Sequence, residues 1–459
     1  MEKSTLLLLI LLLGIATYLW SARTAKTTAI LSGKKLHSLP GFYGYYTSLW
    51  CVLPSFFVII LWAGLESSVI TSTVVNSLPQ EITSSSPEEV SLIVNDIRNV
   101  VSGARTGDVP PEIQNAAKLY IKLGDRSNLL LTLFSLALSV IGVIFARSRI
   151  APEFQARNHV ERVLTLGLIG CALVAILTTV GIVLSVLLES IRFFQMIPIT
   201  DFLFGLKWSP QIAMRADQSG SSGAFGAIPL ITGTMLISCV AMVVAVPIGL
   251  LSAIYLSEYA SLQFRAITKP LIEILAGIPT VVYGFFAALV VAPFIRDLGA
   301  NIGLEISSES ALAAGLVMGI MIIPFVSSLS DDFINAVPQS LRDGAYALGA
   351  TQSETIRQVI IPAALPGIVG GVLLAISRAI GETMIVVMAA GLSANLTANP
   401  LEAVTTVTTQ IVTLLVGDQE FDSPKTLAAF ALGLVLFLLT LALNIIALRI
   451  VRKYREQYE

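Results

Sequence analysis

Arginine and glutamate stand four positions apart inside an otherwise apolar segment, GVLLAISRAIGETMIVVMAAGL, at residues 371–392. On one continuous helix, Arg378 and Glu382 would lie one turn apart on the same face and could neutralise each other. An arginine near the centre of a membrane span costs at least about 2.5–3.5 kcal/mol on insertion scales. The pair is therefore either an internal ion pair that fixes packing, or a site where the guanidinium fork binds an anion.

In the anion-binding interpretation, Ser377 and Thr383 would add hydroxyl hydrogen bonds beside Arg378, and an arriving anion would displace the carboxylate of Glu382. Such exchangeable binding permits passage rather than trapping. No catalytic group is expected, because no nucleophile–base arrangement is visible. No metal site is expected either, because the two histidines and three cysteines are isolated from one another.

The composition indicates a membrane protein. The chain has 459 residues, of which 55% are hydrophobic and 13% charged, and its mean hydropathy is +0.83. A soluble core cannot bury that much apolar surface. The net charge of −2 says little about partners, but the lack of a basic, aromatic-rich patch argues against nucleic acid. Nine segments are long enough to span a bilayer as helices, near 5–21, 48–65, 128–146, 163–187, 229–255, 271–294, 311–329, 367–390 and 426–448. The fold class is therefore an all-α polytopic membrane protein.

Lysine and arginine predict the orientation. They concentrate in alternate loops and in the C-terminal tail from Arg449, which places that tail in the cytoplasm. With nine spans the N-terminus is then outside, and the first segment is expected to be retained rather than cleaved, because Glu2 precedes Lys3 and SARTA is a poor cleavage site. Residues 66–127 form the longest outside segment. They predict a small helical insertion, with VSLIVNDIRNVV as a helix, that serves either as a spacer or to bind a partner.

The cytoplasmic loop 330–366 is patterned rather than irregular. Pro338 can open a helix, and Gly349 can end it in a left-handed conformation. Thr351 and Glu354 then form a capping box for a second helix, which we expect to run to Pro362.

The first of these two helices has an apolar face made of Ala345, Tyr346 and Leu348. A short helix of this kind either docks in a partner's groove or packs under its own bundle.

This loop resembles that of ABC importer permeases, which carry E-A-A-x-x-x-G, then nine residues, then I-x-L-P. The matching positions here are Asp343, Gly344, Ala345, Gly349, Val359, Ile361 and Pro362. The strings AYALGAT, IIPAALPGIVGG, SRAIGETM and AGIPTVVYGF are similar to the phosphate branch of that family, and FGLKWSP with FGAIPLITGTMLIS to its PstC type. The resemblance covers about residues 200–455; residues 1–160 lie largely outside it.

The resemblance implies a type I importer permease core of six helices at 161–459, preceded by an N-terminal extension at 1–160 with about three helices and the insertion. It implies a bacterial inner-membrane location and these partners: a second permease of the PstA type, a dimeric PstB-type ATPase, an extracytoplasmic PstS-type phosphate-binding protein and membrane lipid. A phosphate-signalling regulator is left open. ATP and Mg²⁺ would bind the ATPase, and no cofactor would bind this chain, whose nearest match to a P-loop, LSGKKL, lacks the first glycine. The residues expected to couple to the ATPase are Asp343, Gly344, Ala345, Tyr346, Leu348, Gly349, Thr351, Glu354 and Pro362.

Three residues of span six, Gly277, Pro279 and Gly284, are expected to kink it, either for ordinary packing or as a gate. The principal function expected is that of a permease subunit in an ATP-driven phosphate importer. The alternatives are a permease for sulfate or molybdate and a stand-alone secondary anion transporter. A membrane enzyme finds no support in the residues, and a phosphate-sensing role of 66–127 could accompany transport.

Overall fold

The computed structural model of the chain describes residues 3–79, 87–104, 110–210, 223–416 and 423–455. It contains two compact units, Met1–Leu177 and Thr178–Glu459, which are described separately. The run DQSGSSG at 217–223, whose composition predicts flexibility, lies outside the described residues except for Gly223. Residues 80–86, within the 66–127 insertion, lie outside them too.

The N-terminal unit consists of long helices. They are α1 (Lys3–Ser32), α2 (Pro40–Val75), α3 (Pro87–Val101), α4 (Pro111–Ser148) and the first half of α5 (Ala156–Met196). Small residues let α2 and α4 approach closely: a Cβ on Gly142 would lie 2.1 Å from the Trp50 carbonyl oxygen. Beside this contact the hydroxyls of Ser55 and Ser139 are 2.8 Å apart. The predicted helix in the 66–127 insertion is α3, and this prediction is confirmed.

The C-terminal unit begins in the second half of α5 and continues with many shorter elements. These are α6 (Ile199–Phe204), β1 (Trp208–Ser209), β2 (Ala224–Phe225), α7 (Ile228–Ile254), α8 (Leu262–Gly277), α9 (Thr280–Phe286), α10 (Ala292–Asn301), α11 (Ala311–Asn335), α12 (Gln339–Ala347), α13 (Gln352–Thr355), α14 (Ile361–Ile380), α15 (Met384–Ala389), α16 (Val407–Leu415) and α17 (Pro424–Arg455). The two strands pair antiparallel, with Trp208 opposite Phe225.

The centre of this unit is the contact between α7 and α11. A Cβ on Gly319 would lie 2.9 Å from the Ala241 carbonyl oxygen, so the two backbones approach as closely as glycine allows. Small residues replace bulky ones at such seams because van der Waals packing drives association of helices in lipid. Val317, Met318 and Ile322 of α11 are fully buried around the seam.

Nine helices within the described residues are long and apolar enough to cross a membrane, which confirms the predicted number and fold class. Two of the predicted spans are wrong in detail. Span six was placed at 271–294, but the backbone leaves the helix at Ile278–Pro279, and the spanning helix runs over Thr280–Asn301.

Span eight, placed at 367–390, is Gln352–Ile380, a path of 29 residues made of α13, a π turn at Ile356–Ile360 and α14. The second loop helix therefore does not stop at Pro362 as expected. The π turn lets the Ile361 amide bond to the Ile356 carbonyl oxygen, five residues back. Pro362, which has no amide hydrogen, then sits in the first turn of α14, where none is needed.

Candidate functional site

The segment that carries Arg378 and Glu382 is a broken helix. Helix α14 ends at Ile380, Gly381 to Thr383 are not helical, and helix α15 starts at Met384. Non-helical backbone at membrane depth occurs where it is buried in protein or lines a cavity. The break therefore marks this segment as different from an ordinary span.

Arg378 lies in the last turn of α14, not near the centre of a span. Its guanidinium carbon is 5.8 Å from the centroid of the Phe325 ring, the side chain is exposed in the single chain, and it makes no ion pair with any described residue. The predicted pair between Arg378 and Glu382 one helical turn apart is thus wrong, because the helix ends between them. The negative end of the helix dipole offsets part of the cost of the charge instead.

Glu382 has a different partner. Its Oε1 accepts hydrogen bonds from the amides of Met384 at 3.2 Å and Ile385 at 3.5 Å, so the carboxylate caps the start of α15. The Thr383 hydroxyl donates to the Gly381 carbonyl oxygen at 3.3 Å. Ser377 is partly buried on the last turn of α14. The four predicted translocation residues are therefore neighbours at the break, but their side chains do not form one hydrogen-bonded group.

The Glu382 cap leads to a first prediction. Glu382→Ala should weaken the start of α15 by about 1 kcal/mol, the usual cost of losing a capping side chain. Glu382→Gln, which keeps an acceptor oxygen, should weaken it less. Hydrogen exchange at the Met384 and Ile385 amides would measure this, with about fivefold faster exchange expected for the alanine variant. Equal exchange in all three proteins would contradict the capping role.

A buried cluster of threonines, which is not among the predicted site residues, lies beside the break. Thr406 caps α16 by accepting a hydrogen bond from the Thr409 amide at 3.2 Å. The Thr408 hydroxyl donates to the Glu382 carbonyl oxygen at 2.8 Å. Gln410, also buried, accepts from the Trp208 indole at 2.9 Å. The signal was the polar run TTVTTQ at 405–410 in an apolar region, between two predicted spans.

The helix of span six is also interrupted, at Ile278–Pro279, and the helix that follows this interruption packs on α15. The Tyr283 hydroxyl donates across the break to the Leu275 carbonyl oxygen at 2.8 Å, which ties α9 to the end of α8. Gly284 lies inside α9, where a Cβ would be 2.8 Å from the Met388 Cβ. Gly277 and Pro279 therefore flank a complete break, whereas Gly284 allows α9 to pack on α15, as the ordinary packing interpretation expects. A hinge role of the three residues stays a prediction.

The loop at 330–366 has the local structure that the sequence predicted. Pro338 precedes α12, Gly349 follows it with φ +84°, and Thr351 with Glu354 forms a complete capping box. The side-chain amide of Gln339 donates to Asp343 Oδ1 at 3.1 Å on the exposed side of α12.

The faces of α12 are only partly as expected. Ala345 is buried against the chain itself, so it is not presented to a partner. Tyr346 is 45% exposed and Leu348 is 91% exposed, and Gly344 is exposed too. Tyr346 and Leu348 therefore form the accessible apolar part of this face.

Comparison with known proteins gives two family matches. Residues 7–178 match a family described as phosphate ATP-binding cassette transporter. Residues 245–456 match the family of binding-protein-dependent transport system inner membrane components. Most of the region 1–160, which lies largely outside the resemblance seen in the sequence, thus has a family match of its own. The predicted domain division at 160/161 stays a prediction.

Individual relatives agree with these families. The chain is 34% identical over 273 residues to a probable ABC transporter permease protein, YqgH, of Bacillus subtilis, covering 59% of this chain and 84% of that protein. It is 39% identical over 153 residues to the phosphate transport system permease protein PstC of Haemophilus influenzae, covering 30% of this chain and 49% of the relative. The corresponding match to PstC of Mesorhizobium japonicum is 35% identical, over 30% of this chain and 47% of the relative. The chain therefore spans about half the length of these PstC relatives. From the extent of the YqgH match and the nine membrane-length helices among the described residues, this chain is a multi-pass membrane protein that belongs to the ABC transporter permease family.

Proposed function

We propose that this chain is the PstC-type permease subunit of an ATP-driven phosphate importer. Three kinds of observation support the proposal: the phosphate transporter family match over 7–178, the PstC relatives, and the residues at the break between α14 and α15. The single observation that carries the substrate class is Arg378. It is a permanently charged guanidinium at the end of a membrane helix that no carboxylate among the described residues neutralises.

Phosphate suits this group chemically. Near neutral pH it is a mono- or dianion with several oxygens, two of which a guanidinium can bind at once. The hydroxyls of Ser377 and Thr383 would add weaker bonds on either side of Arg378. Because Glu382 is engaged by the α15 amides, an arriving phosphate would not have to displace it from the arginine. Its negative charge beside the path would instead favour release.

The chain carries no ATPase site in this proposal, and the energy comes from a partner. Tyr346 and Leu348 would insert in the cleft of a PstB-type ATPase dimer that binds ATP and Mg²⁺. A PstA-type permease would complete the path, and a PstS-type protein would deliver phosphate from outside. In that arrangement the 330–366 loop and the C-terminus face the cytoplasm and the N-terminus faces outward, as the basic loops predict.

Labelled phosphate uptake tests the proposal. Cells that lack this chain should regain ATP-dependent uptake when the chain is restored, and excess unlabelled sulfate or molybdate should not reduce it. Competition by either oxyanion would identify that anion as a substrate and leave the permease assignment in place. Uptake that does not depend on the chain would contradict the phosphate assignment.

A further inference from the structure

One residue at the end of α7 holds the cytoplasmic loop from two sides. Glu258 lies in the π turn Tyr255–Tyr259 that follows α7, with only 6% of its side chain exposed. Arg342 of α12 donates to Glu258 Oε1 at 2.5 Å and to the Ile334 carbonyl oxygen at 2.8 Å. Gln352, the first residue of α13, donates to the Glu258 carbonyl oxygen at 2.7 Å. The loop helix is therefore fastened to the ends of both α7 and α11.

A second buried carboxylate fastens α8 to α11. Asp331, whose side chain is 5% exposed, accepts hydrogen bonds from Arg265 at 2.9 and 3.0 Å and from Lys269 at 2.8 Å. Arg265 and Lys269 lie one turn apart on the same face of α8. The hydrogen bond to Asp331 raises the pKa of Lys269 above its ordinary value, which keeps the amine charged. Because none of the described residues of α8 is buried, polar contacts hold this helix: these ion pairs along its length and the Tyr283 hydrogen bond to Leu275 near its end.

The two carboxylates are connected through Asn335 of α11 and Ser257, the residue next to Glu258. Asn335 donates to Asp331 Oδ1 at 2.9 Å. The Ser257 hydroxyl can donate its one hydrogen either to Asn335 Oδ1 at 3.3 Å or to Glu258 Oε1 at 3.5 Å. Since Ser257 and Glu258 are adjacent in one turn, the two groups of polar contacts are linked there, and together they connect α12, the ends of α7 and α11, and α8. Helix α8 in turn ends at the break of span six, and α9 beyond the break packs on α15 beside Glu382.

We propose that Glu258 and Asp331 are positioning residues that transmit a displacement of α12 to α8, and through it to the break at Ile278–Pro279. The inference rests on the proposed function, since it assumes that an ATPase moves α12. Buried, multiply bonded charges suit this task because they resist sliding: removing one partner leaves the other charge unpaired in a poorly solvated site. Apolar contacts alone would permit α8 to slip along α11.

Charge removal at Asp331 tests the transmission in the complete transporter. The complex would be reconstituted in liposomes with its ATPase, second permease and binding protein. Asp331→Asn keeps the size of the side chain but removes its charge. We expect phosphate uptake to fall about tenfold, the upper range for residues along a coupling route. Basal ATP hydrolysis and copurification of the ATPase should persist, whereas stimulation of hydrolysis by phosphate-loaded binding protein should be lost.

A charge swap separates transmission from simple stability. Glu258→Arg and Arg342→Glu should each abolish the stimulation, and the double variant should restore most of it. The matched control is Glu161→Gln, which removes a 2.5 Å ion pair with Arg157 outside the network and should change nothing.

Three results would overturn the inference: normal stimulation and uptake in Asp331→Asn, loss of the ATPase from that complex, or failure of the swap to restore function. Wild-type liposomes that take up no phosphate would contradict the proposed function instead. The same variants would then be judged on whether binding protein loaded with sulfate or molybdate stimulates ATP hydrolysis.

Discussion

Replacing Arg378 with glutamine is expected to reduce phosphate uptake by at least about 100-fold while the transporter complex still assembles. Two charge-assisted hydrogen bonds to the anion would be lost, each worth about 1.5–3 kcal/mol, and neutral glutamine would replace only one of them weakly. The complex should survive because the guanidinium makes no ion pair within the described chain and its side chain is exposed. The measurement is labelled phosphate uptake, normalised to the amount of assembled complex.

Two further variants make the Arg378 result specific. Arg378→Lys keeps the charge but loses the planar fork, so we expect an intermediate loss of about tenfold. Arg162→Gln removes an exposed arginine in the N-terminal unit and should leave uptake unchanged. Normal uptake by Arg378→Gln would show that the arginine does not bind phosphate during transport, and it would favour a role in packing against Phe325.

Replacing Leu348 with aspartate is expected to weaken binding of the ATPase by at least about 100-fold. The side chain is 91% exposed in the single chain, so the variant should fold normally. In the complex, a leucine buried in a partner's cleft contributes about 1.5–3 kcal/mol, and aspartate would add the cost of burying a charge. Copurification of the ATPase with this chain, followed over a range of ATPase concentrations, measures the change.

The control for Leu348 is the same substitution at Leu262. That leucine is 85% exposed at the start of α8, in the same predicted cytoplasmic region but outside the loop at 330–366. Leu262→Asp should therefore bind the ATPase normally. Equal binding by both variants would show that α12 is not the docking surface, and equal loss would indicate a general effect of added charge.

Much of this protein follows from local chemistry and is readable in the sequence. The apolar composition dictates membrane helices, because no aqueous core could hide that surface. The bend of the loop at 330–366 is equally local: the backbone limits of Pro338 and Gly349 and the reciprocal bonds of Thr351 and Glu354 need no distant partner.

The interruption of span eight is different, because the run at 371–392 looks like one continuous helix. The break after Ile380 is held by Glu382 bonding to the α15 amides and by Thr408, which donates from 26 residues away. A sequence pattern of period 3.6 shows neither bond. The spacing of Arg378 and Glu382 suggested an ion pair only because a helix was assumed between them.

The ion pairs between different helices depend on the tertiary structure. In the sequence, Arg265 and Lys269 lie between two predicted spans and Asp331 lies just beyond the predicted span 311–329, with no pattern that links them. Folding brings Arg265 and Lys269, 66 and 62 residues before Asp331, to one buried carboxylate. Composition and local pattern determined that the chain crosses the membrane and how its loop turns. Tertiary packing decided which charges meet, because a buried charge is stable only beside the partner that the fold delivers to it.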